Sequence, residues 1–184
     1  FKLGSQFLGE VNNSNFFNLP GGSFNLIGLG SEDTGTGDNV FYGTGAGNGD
    51  IGSYNTGFGV LALHGLSGSG TSNEAFGYQA LVSNSTGDFN TAIGRNALAS
   101  NTSGSKNIAI GTHALRLNQT GLYNLAIGYN ALENNLVDDG FAIGYKALAA
   151  NTTGAVNQAV GIRALQKNKT GSYNTAFGTW ALKE

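Results

Sequence analysis

The chain has no cysteine and no methionine, a single proline (Pro20), a single tryptophan (Trp180), and charged side chains at only 11% of its 184 positions. Without cysteine there is neither a disulfide framework nor a thiolate metal site. With one proline, and glycines that do not fall at every third residue, a collagen-type helix is excluded. No apolar run approaches the roughly 18 residues of a membrane-spanning helix, so direct membrane insertion is not expected. No signal peptide is visible and the chain starts at Phe1, which reads as a mature or excised piece of a longer protein. With so few charges, Asn, Ser, Thr and Gly must do the solvating, as they do in proteins built from strands and turns.

Glycine is abundant, at 31 residues, and 40% of the chain is hydrophobic. Those apolar residues recur in register, which argues against simple disorder. The net charge of −2 is unevenly placed. Residues 1–90 carry one base against seven acids, net −6, and residues 91–184 carry eight bases against four acids, net +4. Either this is drift among solvated loops, or it is a basic distal patch suited to an anionic partner.

A repeat dominates the sequence. Asn90-Thr-Ala-Ile-Gly-Arg-Asn-Ala-Leu98 returns as Asn107-Ile-Ala-Ile-Gly-Thr-His-Ala-Leu115, and again from Asn124, Asn157 and Asn174. The fifth-position glycines are Gly28, Gly43, Gly59, Gly77, Gly94, Gly111, Gly128, Gly144, Gly161 and Gly178, spaced 15 to 18 residues apart. Position four is large and apolar from Phe58 to Phe177. Position three is Ala from Ala75 onward, and positions eight and nine are Ala-Leu from Ala62-Leu63 onward. The second half of each unit centres on Asn-x-Thr-Gly, as in Asn118-Gln-Thr-Gly121, where Gly and Asn are expected to supply the positive φ of tight turns.

Seventeen residues are too few for a helix pair. They suit two short strands and two turns, with coils stacked at about 4.7–4.9 Å. The fold class expected is therefore all-β, a parallel β-roll or β-solenoid of about ten coils over residues 25–184. Residues 1–24, rich in Phe, are expected to be a cap or junction covering the open end. Stacking turns columns into ladders, and Asn ladders hydrogen-bond. Apolar neighbours at positions three and four, and at eight and nine, predict strands buried on both faces. One coil holds few side chains, so a homo-oligomer, a trimer about the rod axis, would cover the second face. The alternative places both apolar pairs inside one wider coil.

At these motifs the sequence resembles the head repeats of trimeric autotransporter adhesins. The longer form, with Ala-Leu-x-x-Asn-x-Thr-Gly, is similar to repeats of phage tail fibres and large bacterial surface proteins. The resemblance covers about residues 25–184. It implies a left-handed, homotrimeric β-roll, extracellular, on a cell surface, virion or injection fibre, that displays or extends an attachment function. Departures are a unit longer than the adhesins', early coils without Ala-Leu (from Asn25 and Asn39), and Val137-Asp138 replacing Thr-Gly.

Nothing converges as a catalytic site does, and an enzyme is not expected. His64 and His113 sit three coils apart. Glu32, Asp33, Asp38 and Asp50 lie in Gly-rich loops, where turn formation is the plain reading and glycan hydrolysis the sharper one. Asp138-Asp139 offers oxygen ligands without a recognised calcium spacing, so neither metal nor cofactor is expected. Gly43-Thr-Gly-Ala-Gly47 lacks the Lys-Ser/Thr of a phosphate loop. The sequons at Asn84, Asn101, Asn118, Asn151 and Asn168 recur with the period, so turn geometry explains them. An ice-binding face is a further alternative, although Thr102, Thr120, Thr153 and Thr170 do not share one repeat position. Candidate surface-binding residues come from the variable sixth and seventh positions: Tyr78, Tyr129, Tyr145, Lys146, Arg163 and Trp180. With the aromatics Tyr54, Phe89, Tyr123 and Tyr173 that precede each Asn, they could hold a glycan or protein receptor, or pack between chains. The partners expected are sister chains and such a receptor, with no nucleic acid.

Overall fold

A computed structural model of the chain describes residues 2–3, 6–7, 39–47, 52–65 and 69–183. Two strands near the start, β1 (Lys2–Leu3) and β2 (Gln6–Phe7), pair antiparallel. The coil expected around Gly28, and the rest of the cap expected over residues 1–24, fall outside the described residues. From Val40 onward the repeat becomes a single parallel sheet. Its strands are β3 (Val40–Tyr42), β4 (Thr56–Phe58), β5 (Glu74–Phe76), β6 (Thr91–Ile93), β7 (Ile108–Ile110), β8 (Leu125–Ile127), β9 (Phe141–Ile143), β10 (Gln158–Val160) and β11 (Thr175–Phe177), stacked in chain order. Like residues face one another: Ala92 opposes Ala109, which opposes Ala126. This is a β-solenoid, and its nine strands span about 38 Å at the usual strand spacing.

Each coil has one three-residue strand, not the two expected, and the rest of the circuit is turns. Ala97 N–H donates to Gly94 C=O and Asn101 N–H to Leu98 C=O, closing two successive tight turns. The circuit also contains left-handed residues that are not glycine. Three recur in every full coil, at positions seven and nine and just before the next Asn; in one coil they are His113, Leu115 and Tyr123, at φ 60°, 50° and 58°. Such residues cost about 1–2 kcal/mol each in isolation. The stack holds them there. His113 N–H donates to Arg95 C=O of the preceding coil, Leu115 N–H to Ala131 C=O of the following one, and Tyr123 N–H to Ser105 C=O.

That conformation corrects the expected burial. The Ala and Leu of positions eight and nine are consecutive, yet both point inward: Ala97, Leu98, Ala114 and Leu115 are fully buried. The turn at Leu, not a wider coil or a second chain, brings the pair inside. Positions three and four do alternate as a strand should. Ala92 and Ala109 are buried, while Phe58 and Ile93 are 37% and 41% exposed. The strand is therefore not buried on both faces within one chain.

The positive φ expected at Asn-x-Thr-Gly is also elsewhere. Gly104 and its equivalents do not have positive φ. They lack a side chain because a Cβ on Gly104 would meet Gly121 O of the next coil at 2.5 Å, beside the Asn101 amide. The carbonyl of this glycine joins two asparagine ladders. Gly104 O accepts from Asn90 Nδ2 (2.8 Å) and Asn101 Nδ2 (2.9 Å). Along the axis, Asn107 donates its backbone N–H and its Nδ2 to Asn90 Oδ1, and Asn124 does the same to Asn107 Oδ1. Asn101 Nδ2 donates to Asn84 Oδ1, and Asn118 Nδ2 to Asn101 Oδ1. These amides are wholly or almost wholly buried, and all of their polar atoms except Asn118 Oδ1 are hydrogen-bonded, as buried polar groups generally must be.

The departures from the repeat now have physical reasons. In the coil from Asn39, position three is Phe41, a buried ring that occupies interior space; Gly47 stands where Leu would, because a Cβ there would run into that ring, and Gly57 leaves it room in the next coil. In the shorter coil from Asn124, the carbonyl of Val137 replaces the missing glycine's and accepts from Asn124 Nδ2 and Asn135 Nδ2. Asn135 Nδ2 also donates to Asn124 Oδ1, which lacks the side-chain donor of a ladder asparagine because Gly140 stands in that place, and Asn118 Oδ1 is left without a protein donor.

Val156 is β-branched, partly exposed, and held at φ 55°. Asn tolerates that region far better. Val156→Asn should therefore raise stability by about 1 kcal/mol, read as a higher urea midpoint with unchanged slope.

Candidate functional site

With the core sealed inside one chain, interaction chemistry belongs to the outward columns. The outer face of the sheet presents positions two and four. Position four is apolar along its whole length: Tyr42, Phe58, Phe76, Ile93, Ile110, Ile127, Ile143, Val160 and Phe177. Its aromatic end is ordered by stacking, with Phe58 and Phe76 rings 5.2 Å apart and nearly parallel. Position two mixes Thr56, Glu74 and Thr91 with Ile108, Leu125 and Phe141, and Thr91 Oγ1 donates to the Glu74 carboxylate. A contiguous apolar column of this kind is what soluble single chains avoid.

Beyond the fifth-position glycine lie the six residues singled out from the sequence. The structure divides them into two groups along one edge, Tyr78 by itself and the other five joined through contacts to Tyr145 and Arg163. Tyr129 and Tyr145 stack at 5.5 Å. Tyr78 is separate, with the Arg95 guanidinium 5.7 Å from its ring centre. Lys146 and Arg163 both lie over the Tyr145 ring, at 5.4 and 5.7 Å, and Arg163 also faces Trp180 at 5.8 Å. Tyr78, Tyr129, Tyr145 and Trp180 are exposed. Position seven points this way because it is left-handed: Lys146 and Arg163 have φ 55° and 57°. The arrangement is a row of rings with cations on their faces, each contact worth about 0.5–1 kcal/mol when solvated.

A second aromatic column stands at the opposite corner, immediately before the ladder asparagines. Tyr54, Phe89, Tyr123 and Tyr173 are exposed there, with Ser72, Lys106, Asp139 and Val156 between them. The corner holds a surface groove of about 400 Å³ lined by Asp88, Phe89, Ser105, Lys106, Leu122 and Tyr123. Lys106 Nζ donates to the Tyr123 hydroxyl at 3.1 Å and sits 5.0 Å from that ring's centre. Asp88 Oδ1 accepts from the N–H and Oγ1 of Thr71, and Asp88 N–H donates to Ser105 Oγ. Sequence reading found the rings of this column but not Asp88, Ser105 and Lys106. Their only signal was sharing the two positions before Asn.

The other candidates separate. His64 Nδ1 lies 2.9 Å from Gly45 O, and His113, three coils further along the chain, faces the Tyr129 ring of the next coil. The glycine run 43–47 is a coil's ordinary turn, with Gly45 and Gly47 at the left-handed positions seven and nine. Asp138 Oδ1 accepts from Leu122 N–H. Among the described residues no three His, Cys, Asp or Glu side chains gather as a metal site would require. Glu32, Asp33, Asp38 and Asp50 fall outside the described residues. The sequon amides of Asn84, Asn101, Asn118 and Asn151 are buried in a ladder, which closes them to glycosylation in the folded state. Coil stacking puts Thr86, Ser103 and Thr120 in one column, which Thr153 and Thr170 resume after the short coil interrupts it. Thr120, Thr153 and Thr170 share that position, while Thr102 stands one place before it, so the four do not form one column. No helix among the described residues is long and apolar enough to cross a membrane.

The architecture is that of a parallel β-solenoid of stacked coils, compatible with β-roll repeat proteins. No family model, curated protein or solved structure matches the chain.

Proposed function

We propose that the chain is a rigid segment of an extracellular attachment fibre, assembled as a homotrimer, with no catalytic role. The carrying observation is the position-four column, apolar and outward over nine successive coils. The interior is already filled by Ala, Leu and Asn, so this column has no function in the single chain's own core. A rod with one apolar flank suits rotational assembly in which each chain covers its neighbour's flank. The resemblance of Ala-Ile-Gly-x-x-Ala-Leu to adhesin-head and tail-fibre repeats supports the same reading, including an extracellular setting and left-handed coils. The rows of rings and cations are where such a fibre would meet a receptor.

Sedimentation tests the assembly. The wild type should run at three times the chain mass. Ile110→Lys and Ile127→Lys, at half-exposed sites, should reduce it to monomer while the β-type circular dichroism spectrum persists. A wild type that sediments as a compact monomer refutes the reading. A second reading, a fibre that itself grips glycans, is favoured by the exposed rings at the corner column.

A further inference from the structure

We propose that the groove between Phe89 and Tyr123 binds an extended glycan in which one acidic sugar lies between two neutral ones, running along the rod axis. The proposal rests on reading the rod as an attachment module, and it names a site and a ligand class. Three successive coils build the groove, and each contributes a different chemistry. The first supplies the Phe89 ring, 57% exposed, with the Asp88 carboxylate beside it. The second supplies Lys106 and the Ser105 hydroxyl. The third supplies the Tyr123 ring, 54% exposed, with Leu122.

The backbone fixes their spacing. Phe89, Lys106 and Tyr123 occupy one column, each donating its N–H to a carbonyl of the preceding coil (Thr71, Asp88 and Ser105). One coil rises about 4.8 Å, close to the length of one pyranose unit in an extended chain. The two rings are therefore two sugars apart, with Lys106 anchored on the coil between them and its ammonium leaning onto Tyr123, within a side-chain swing of the middle sugar. A pyranose presents C–H groups on its faces and hydroxyls at its edge. Faces pack on aromatic rings, and hydroxyls beside Phe89 can donate to Asp88. The ammonium, already drawn toward Tyr123, meets a carboxylate or sulfate on the middle sugar with a charge-assisted hydrogen bond. All three residues are locked at φ 56–60° by the stack, so little backbone freedom is lost on binding.

The charges around the groove set its selectivity. Asp88 lies at one end, and Asp138 and Asp139 follow in the coil after Tyr123. A chain acidic at every sugar would meet carboxylates on both sides of Lys106. The same carboxylates oppose a phosphate backbone, which carries a charge at every unit. An anionic oligonucleotide, which could also stack on rings, thus becomes an outcome of the test, not a second ligand.

The experiment measures binding of the full chain by calorimetry or NMR titration. The probes are an N-acetylhexosamine–uronate–N-acetylhexosamine trisaccharide, the all-neutral N-acetylhexosamine trimer, a tri-uronate and a short oligothymidylate. The mixed trisaccharide should bind best. Phe89→Ala and Tyr123→Ala should each weaken it about tenfold, in line with the per-ring stacking loss for bases on aromatic platforms. Lys106→Gln should remove the preference for the mixed over the neutral trimer. Sedimentation and melting of the three variants should match the wild type. No binding of the mixed trisaccharide, unchanged binding in the variants, or equal binding of oligothymidylate overturns the proposal. A fall in assembled mass in Phe89→Ala or Tyr123→Ala also overturns it, by placing the rings between chains. If instead the wild type binds sugar as a monomer, the glycan site stands and the trimer fails.

Discussion

Gly111→Ala should destabilise its region of the rod by about 3 kcal/mol or more, since it combines a disallowed conformation with overpacking. Gly111 has φ 132°, and a Cβ there would lie 2.6 Å from Gly128 O in the next coil. That neighbour is backbone, so it cannot swing aside as a side chain can. The two coils would have to separate, and Gly111 N–H, which donates to Ile93 C=O at 2.7 Å, would be displaced with them. Because a solenoid's stability is a sum over coils and their contacts, the damage should be local. Hydrogen exchange should quicken in the coils from Asn107 and Asn124 and remain slow from Asn157 onward. Uniform protection, or a melting curve that matches the wild type, would contradict this account of the fifth-position glycine.

Asn107→Asp should be about as damaging at neutral pH and much milder in acid. Asn107 Nδ2 donates to Asn90 Oδ1 (3.1 Å) and Gly121 O (2.8 Å), while its Oδ1 accepts two bonds from Asn124. An ionised carboxylate would set an oxygen against two acceptors in a fully buried site, the situation in which removing one partner costs about 3–5 kcal/mol. A protonated carboxyl can still donate to one of those acceptors. Burial and the facing acceptors raise the folded-state pKa of such an Asp above its unfolded value of about 3.9. Its stability is therefore intact below that value and lost as pH rises through the folded pKa. Asn107→Leu should lose a comparable amount with no such pH dependence, since it orphans the Asn124 N–H at every pH. Denaturant unfolding at about pH 3.5 and pH 7 separates the two variants, and equal losses for Asp at both pH values would sink the ladder argument.

Much of this was legible beforehand, and particular residues show why. The parallel stack follows from Gly94, Gly111 and Gly128 recurring at one period with Ala-Ile before them: identical units in register leave parallel pairing as the economical solution. The ladders follow from Asn90, Asn107 and Asn124 at one position. The corner rings could be seen as a column, Phe89 and Tyr123 among them, but Asp88, Ser105 and Lys106 gave no motif, because nothing in residue type says that neighbours in successive coils share a groove. Leu98 and Leu115 misled for a related reason. Leucine carries no preference for left-handed backbone, so an Ala-Leu pair reads as two sides of a strand.

By itself, then, the sequence determined the repeat, its strand-and-turn character and which residues lie over one another, since a column of like residues is a property of the period alone. Only the tertiary structure decided which way each column points. That depends on the sign of φ at positions such as His113, Leu115 and Tyr123, which is imposed by hydrogen bonds to the coils before and after and is written in no single unit.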